Sequence, residues 1–117
     1  MRRTKMKKIE AVIRPNKVSD VCSAVEKLGH YGLMISEIEG FGKQQGIEQQ
    51  VRGRVYKVKL MTKARLELIV KDKDVKDIIE AIRNTACTGE VGDGKIFIYP
   101  VDDAVRVRTA EQGDAAI

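Results

Sequence analysis

The sequence lacks long apolar runs and has few residues that bind transition metals. None of its apolar segments approaches the roughly 20 residues that a membrane-spanning helix needs, and its basic start has no apolar segment behind it. We therefore expect no direct membrane insertion and no export. The two cysteines, Cys22 and Cys87, stand far apart and His30 is the only histidine, so no paired spacing predicts a zinc site. We expect reduced thiols and a cytoplasmic location.

Aromatic residues are also scarce, which bears on nucleic-acid binding. The net charge of +5 and the pI near 9.3 raise the question of whether the protein binds nucleic acid. However, three tyrosines, two phenylalanines and no tryptophan make a poor base-stacking platform, and the basic residues are spread along the chain. We expect no nucleic-acid partner and keep an RNA-binding module as an alternative. A small basic domain can equally carry its charge for an anionic small molecule.

The 117 residues suffice for one domain, with residues 1–5 as an N-terminal extension. Apolar periodicity predicts these elements in chain order: a strand at 8–14, a helix at 18–28, a strand at 33–38, a hairpin pair at 55–60 and 64–70, a helix capped by Asp72 or Asp74 and ending before Thr88, and a strand at 95–101. A polar loop without secondary structure is expected from Gly40 to about Arg54. With the hairpin pair counted as one unit, this order predicts an α+β, ferredoxin-like βαββαβ sandwich, followed by a short strand near the C-terminus.

Two helices can cover only one face of such a sheet. The other face would meet water, although the strands offer few purely polar faces. Because a chain of this length cannot supply another layer, we expect self-association to bury that face.

Residues 89–96, with the sequence GEVGDGKI, match the phosphate-binding pattern G-x-x-x-x-G-K but end in Ile96. A P-loop has Ser or Thr at that position to hold Mg²⁺. The β-branched and aromatic residues that follow predict a strand, whereas an NTPase loop opens a helix. The pattern indicates a phosphate cradle without NTPase machinery. The alternative is a structural glycine hairpin.

Arg106 and Arg108 stand two residues apart in a segment that we expect to be extended. That spacing places both guanidinium groups on one face of a strand. Together with Lys95 they would suit a polyphosphate. The alternative interpretation is a solvated basic strand.

These motifs resemble those of the PII signal-transduction family from Met6 onward. The most specific are TGxxGDGKIF at 88–97, Pro100-Val101 and RVRT at 106–109. The sequences GFGxQ at 40–44, RGxxY at 52–56 and KxxLE at 63–67 are similar to the interior and borders of that family's long T-loop. We place this loop at about residues 40–56 and the phosphate loop at 87–95.

The resemblance implies a homotrimer that binds ATP or ADP in each cleft between subunits. Carried over by position, Gly92, Asp93, Gly94 and Lys95 hold the phosphates, and Thr88 and Gly89 form the turn that aims them. Arg106 and Arg108 would reach the same phosphates from the neighbouring subunit. Base and ribose would be lined by Gly40, Phe41, Gly42, Glu67 and Ile69.

The resemblance also implies 2-oxoglutarate bound beside ATP on a Mg²⁺ ion. Gln44 corresponds to the Mg²⁺ ligand, and Lys63 to the residue that pairs with a 2-oxoglutarate carboxylate. Some positions depart from the family pattern: Cys87 replaces an Arg, Met34 a Thr that contacts adenine, Asn16 a Phe, Lys59 an Asp and Thr62 a Pro. These changes bear more on the 2-oxoglutarate response than on the nucleotide site.

The function implied is allosteric regulation of a partner through the T-loop, without catalysis. Arg52 corresponds to the loop-tip arginine that enters an ammonium channel, and Tyr56 to a tyrosine uridylylated in some members; the alternatives are a solvated charge and a packing residue. The partner would be a membrane transporter, such as an ammonium channel, or an enzyme of nitrogen assimilation. A paralogue that regulates a different transporter, with little 2-oxoglutarate response, is the alternative. An enzyme on a similar fold, either a phosphotransferase using His30 or a nucleotide hydrolase, is a further alternative.

Overall fold

The described part of the chain forms two α-helices and six strands. The strands are β1 (Met6–Ile13), β2 (Met34–Lys43), β3 (Gln49–Val51), β4 (Arg54–Tyr56), β5 (Val58–Lys71) and β6 (Gly94–Val101), and the helices are α1 (Val18–Lys27) and α2 (Val75–Ala86). The computed structural model describes the backbone of residues 5–30, 32–43, 49–51, 54–56 and 58–117, and the side chains of residues 5–30, 32–40 and 61–117. Among these residues, no helix is long and apolar enough to cross a membrane.

One antiparallel sheet with the strand order β2-β5-β1-β6 carries both helices on one face. Alternate residues from Ile9 to Ile13 of β1 and from Ala64 to Val70 of β5 point into the core, and the helices add their apolar stripes. The buried core consists of Ile9, Ala11, Ile13, Ala64, Leu66, Leu68 and Val70 from the sheet and of Val21, Val25, Ile78, Ile82 and Ala86 from the helices. The predicted ferredoxin-like fold and its second helix are therefore confirmed.

The opposite face of the sheet carries charged residues at its centre and apolar residues at both edges. Lys8 and Glu67 form an ion pair at 2.7 Å on the central strands. At the edges, Met34 is 56% exposed, Phe97 43% and Tyr99 41%. The open second face predicted from the element order is thus present in the single chain.

The hairpin predicted for 55–60 and 64–70 is wrong. Residues 58–71 form the single strand β5, which pairs with β2 from Lys43↔Val58 to Met34↔Glu67. No glycine, proline, asparagine or aspartate stands between residues 60 and 64 to make a turn. Apolar and polar residues alternate in the same way along a hairpin and along one long strand. Only the pairing with β2 distinguishes the two structures.

The expected loop from Gly40 to Arg54 also contains secondary structure in its described part. Strand β2 continues through Gly40 to Lys43, and β3 pairs with β4 from Gln49↔Tyr56 to Val51↔Arg54. A polar composition suits such a two-stranded ribbon because it contributes little to the core. The scarcity of apolar residues therefore misled the prediction of a segment without strands.

The predicted strand with the arginine pair is reduced to one bridge, Val105↔Gln112, followed by a turn at 107–109. Backbone hydrogen bonds from Ala110 N to Arg106 O (2.8 Å) and from Arg106 N to Glu111 O (2.8 Å) close this turn. The arginine pair therefore does not lie on an extended segment.

The predicted aspartate cap of α2 is also wrong. Asp74 occupies the N-cap position as the last residue of a 3-10 turn at Asp72–Asp74, but its side chain makes no capping hydrogen bond.

Candidate functional site

The glycine loop, residues 87–93, connects the end of α2 to the start of β6. It opens the strand β6 at Gly94, as predicted, and not a helix. Gly92 and Gly94 have φ angles of +102° and +111°, a region that residues with a Cβ rarely adopt. At Gly94 an added Cβ would lie 1.8 Å from the carbonyl oxygen of Val12 on β1. Glycine at this position lets the loop approach the neighbouring strand.

The carboxylate of Asp93 closes the loop from inside. It accepts hydrogen bonds from the backbone amides of Thr88 (2.8 Å) and Gly89 (2.9 Å) and from the Thr88 hydroxyl. The Thr88 hydroxyl, the two amides and the guanidinium of Arg14 hold the pKa of Asp93 well below its usual range. Asp93 is therefore ionised throughout the physiological pH range, and its contacts with Thr88 and Gly89 close the loop.

Two cations, Arg14 directly after β1 and Lys63 on β5, contact the loop. Arg14 Nη2 donates to the carbonyl oxygen of Val91 at 2.8 Å, and Arg14 Nε donates to Asp93 Oδ1 at 3.3 Å. Lys63 Nζ donates to the carbonyl oxygen of Gly92. Burial, and then the nearby charge of Arg14, lower the pKa of Lys63. The sequence analysis predicted Lys63 as a residue that binds 2-oxoglutarate. It did not predict a role for Arg14, because a single arginine before a proline matches no local motif of a binding site.

Glu67 and Ile69 lie on β5, on the open face of the sheet, with the side chain of Lys63 further along the same strand. The carboxylate of Glu67 contacts Lys8 Nζ at 2.7 Å and Arg65 Nε at 3.1 Å. The hydrogen bond from Lys8 lowers the pKa of Glu67 and raises the pKa of Lys8. These contacts orient the Glu67 carboxylate on the open face.

An apolar groove of about 360 Å³ lies beside the glycine loop, between α2 and the edge strand β6. It is lined by Ile13, Ile79, Ile82, Arg83, Ala86, Cys87, Asp93, Gly94, Lys95, Ile96 and Ile98. Cys87 is exposed at the end of α2, and Lys95 is exposed one residue inside β6. Among the described residues, no group of three or more His, Cys, Asp and Glu side chains is placed to hold a metal ion.

The C-terminal arginines lie in their own closed segment. Arg106 Nε is 3.6 Å from Glu111 Oε1, and Arg106 Nη2 donates to the carbonyl oxygen of Ala115 at 3.2 Å. Arg108 is exposed in the turn that follows. Within one chain, the contacts of Arg106 therefore hold the C-terminal segment.

The remaining predicted residues are described in part or not at all. Gly40, Phe41 and Gly42 lie in β2, where they pair with Met61, Leu60 and Lys59 of β5. Tyr56 ends β4 opposite Gln49. Nothing is described of the side chains of Phe41 and Tyr56, and Gln44 and Arg52 lie outside the described residues.

The fold and the loop define a ferredoxin-like α+β protein with a glycine-rich site supported by cations. The sequence model of the family described as Nitrogen regulatory protein P-II matches residues 6–111. Nitrogen regulatory protein P-II 2 of Methanothermobacter thermautotrophicus is 46% identical over 112 residues, covering 96% of this chain and 97% of that protein. For nitrogen regulatory protein P-II of Haemophilus influenzae, the identity is 47% over 112 residues, with 96% and 100% covered.

Solved structures agree with these sequence matches. The crystal structure of Arabidopsis thaliana PII bound to citrate has a TM-score of 0.81 and 38% identity, covering 97% of this chain and 94% of that one. The structure of B. subtilis GlnK also has a TM-score of 0.81, with 28% identity and coverages of 96% and 98%. The chain belongs to the nitrogen regulatory P-II family, a class of signal-transduction regulators. The resemblance in the sequence is confirmed.

Replacement of Gly94 by alanine is expected to destabilise the fold by about 2–4 kcal/mol, because the Cβ would overlap the Val12 carbonyl oxygen. Gly89→Ala is the matched control: its φ is +84°, but nothing lies within 4 Å of the added Cβ. That variant should lose only about 1 kcal/mol, from backbone strain. Urea denaturation of both variants measures the difference, and equal losses would contradict the close approach.

Asp93→Asn is expected to lower the free energy of unfolding at neutral pH, since the folded loop favours the ionised carboxylate. A carboxyl whose pKa falls on folding stabilises the protein above its unfolded pKa of about 3.9, and this contribution is lost as the pH falls below it. The difference between wild type and variant should therefore narrow from about pH 5 downwards. Glu90→Gln removes an exposed carboxylate from the same loop and is the control. Its difference in unfolding free energy from wild type should change little with pH. A gap that stays constant down to about pH 2 in denaturation curves would contradict this assignment.

Proposed function

We propose that this chain is a non-enzymatic sensor that binds ATP or ADP at the glycine loop and reports the bound state to a partner protein. The observation that carries the proposal is the loop itself. Its backbone is closed by Asp93, it needs glycine at Gly94, and the cations Arg14, Lys63 and Lys95 lie at or next to it. Glycine-rich backbone with adjacent cations suits phosphate oxygens.

The nucleotide site is proposed to form between the subunits of a homotrimer. Support comes from the open face of the sheet, which exposes Phe97 and Tyr99 at one edge and Met34 at the other. Large apolar residues on the uncovered face of a sheet favour burial against another chain. In such a trimer, Arg106 and Arg108 of one chain would reach the phosphates held by residues 92–95 of its neighbour. Arg106 would then exchange its exposed ion pair with Glu111 for a phosphate.

The base and ribose are proposed to lie against the open sheet face, lined by Gly40, Phe41, Gly42, Glu67 and Ile69. The Glu67 carboxylate, oriented by Lys8 and Arg65, can accept hydrogen bonds from ribose hydroxyl groups. Mg²⁺ would be held by the nucleotide phosphates together with Gln44, whose amide oxygen is a suitable ligand.

A dicarboxylate such as 2-oxoglutarate is proposed to bind at Lys63. A carboxylate there would compete with the carbonyl oxygen of Gly92 for the ammonium group, so its binding would be coupled to the glycine loop. A related protein, Arabidopsis thaliana PII, has been solved bound to citrate, which is also a polycarboxylate. The likeness supports an anionic metabolite as second ligand.

Lys95→Met is expected to weaken ATP binding by about 10- to 100-fold, because a charge-assisted hydrogen bond contributes about 1.5–3 kcal/mol. Lys76→Met, which removes one positive charge from an exposed position on α2, is the matched control and should bind as wild type does. Isothermal titration calorimetry measures both. A folded wild-type protein that binds neither ATP nor ADP, or steady ATP turnover, would overturn the proposed function.

Subunit mixing tests whether the arginines act across chains. Trimers of Lys95→Met chains alone and of Arg108→Met chains alone are each expected to bind ATP weakly. When the two chains are co-expressed with different tags and purified as mixed trimers, some of the ATP sites should regain high affinity. The reason is that one cleft of each mixed trimer would combine the intact Lys95 of one chain with the intact Arg108 of the other. If Arg108 acted within its own chain, mixing would restore nothing. A strictly monomeric protein in light scattering would also reject the arrangement.

The segment at 40–56 is proposed to dock on the partner, with Arg52 as its contact and Tyr56 as a candidate for modification. Nitrogen regulation in the names of the relatives favours a partner in nitrogen metabolism, either an ammonium channel or an enzyme of nitrogen assimilation. This chain would meet that partner from the cytoplasm. Purified ammonium channel provides a defined probe for this interaction. We expect Arg52→Glu to abolish its binding, whereas the control Lys73→Glu, exposed before α2, should not. Binding that survives Arg52→Glu in the presence of either ADP or ATP would contradict this role.

A further inference from the structure

Arg14 lies at a junction between the sheet and the glycine loop. It follows the last residue of β1 and precedes Pro15, whose ring restricts Arg14 to the extended backbone conformation observed, with φ −63° and ψ 136°. Its side chain is 32% exposed. The end of β1 therefore presents this guanidinium from a fixed backbone position, beside the start of β6.

One guanidinium group contacts the loop on both sides of Gly92. Nη2 donates to the carbonyl oxygen of Val91 at 2.8 Å, and Nε donates to Asp93 Oδ1 at 3.3 Å. These contacts join residues 77 and 79 positions apart in the sequence. Arginine can make both at once because its donors form a rigid planar fork, which the single ammonium group of lysine cannot reproduce.

Gly92 fits closely against the same guanidinium group. A Cβ added there would lie 3.3 Å from Arg14 Nη2 and 3.6 Å from Lys63 Nζ. Lys63 of β5 donates to the carbonyl oxygen of Gly92, so three consecutive loop residues each contact either Lys63 or Arg14. Asp93 is also the residue whose carboxylate binds the amides of Thr88 and Gly89. A cation that holds Asp93 in place thus acts on the whole turn.

We propose that Arg14 is a positioning residue that fixes the conformation of the glycine loop by bridging Val91 and Asp93 to the end of β1. The effect on nucleotide affinity rests on the proposed function, whereas the effect on the loop does not. Without Arg14, Asp93 loses a partner and the loop populates other conformations. A ligand that needs the ordered loop then binds only the remaining fraction of competent molecules, so its apparent affinity falls in proportion.

The test compares Arg14→Met, Arg14→Lys and the charge control Lys17→Met in the full-length protein. Lys17 lies three residues away in the Pro15–Lys17 turn, so its removal changes the local charge by the same amount. Two-dimensional NMR without nucleotide reports the amide signals and hydrogen exchange of Thr88 and Gly89, and calorimetry reports ATP affinity. Circular dichroism confirms that each variant is folded.

We expect Arg14→Met to shift both amide signals, to speed their exchange several-fold and to weaken ATP binding by about tenfold. Arg14→Lys should give an intermediate result, because it keeps the charge and loses one of the two contacts. Lys17→Met should match wild type in both measurements. If Arg14→Met were unfolded, the intermediate loop shifts of Arg14→Lys would still be required.

Unchanged loop amides in folded Arg14→Met would overturn the proposal, even if ATP affinity fell, because Arg14 would then act on the ligand directly. Equal effects of Lys17→Met and Arg14→Met would also overturn it, since general electrostatics would explain both. A wild-type protein that binds no ATP, with loop amides that still depend on Arg14, would refute the proposed function and support the positioning role.

Discussion

The carboxylate of Asp93 connects the local turn to the sheet, and the candidate site depends on this connection. Inside the loop it accepts hydrogen bonds from Thr88 and Gly89, and outside it meets the guanidinium of Arg14. A buried or half-buried carboxylate is favourable only when its hydrogen-bonding capacity is met, and here the loop backbone meets most of it. The same contacts keep the group ionised. The glycine loop is therefore an ordered element of the fold.

The antiparallel register brings this loop to the sheet. Strand β1 lies between β5 and β6, so the end of β1, the middle of β5 and the start of β6 meet at one end of the sheet. Lys63 and Gly94 lie on β5 and β6, and Arg14 directly follows β1. The apolar alternation that buries Ile9 and Leu66 on the helix side also directs Glu67 to the open face. Core packing and site geometry thus follow from one register.

Helices and the glycine loop could be predicted because their signals are local. Ile78 and Ile82 lie on one face of α2 by their spacing alone, and the strand-forming residues after Lys95 excluded an NTPase loop. Strand pairing could not be predicted in the same way. Residues 58–71 show the alternation of a hairpin and of one long strand equally well, and the pairing partner β2 decided between them. For the segment at 104–108, hydrogen bonds to residues 111–113 replaced the expected strand by a turn.

The sequence by itself determined the two helices, the family resemblance and a glycine loop that opens a strand. Each of these depends on residues that are near one another in the chain. Tertiary structure alone decided that Arg14 and Lys63 hold the glycine loop, because their partners lie 77 to 79 and 29 residues away. No periodicity relates residues at such separations. They meet only because the hydrophobic core imposes one register on β1, β5 and β6.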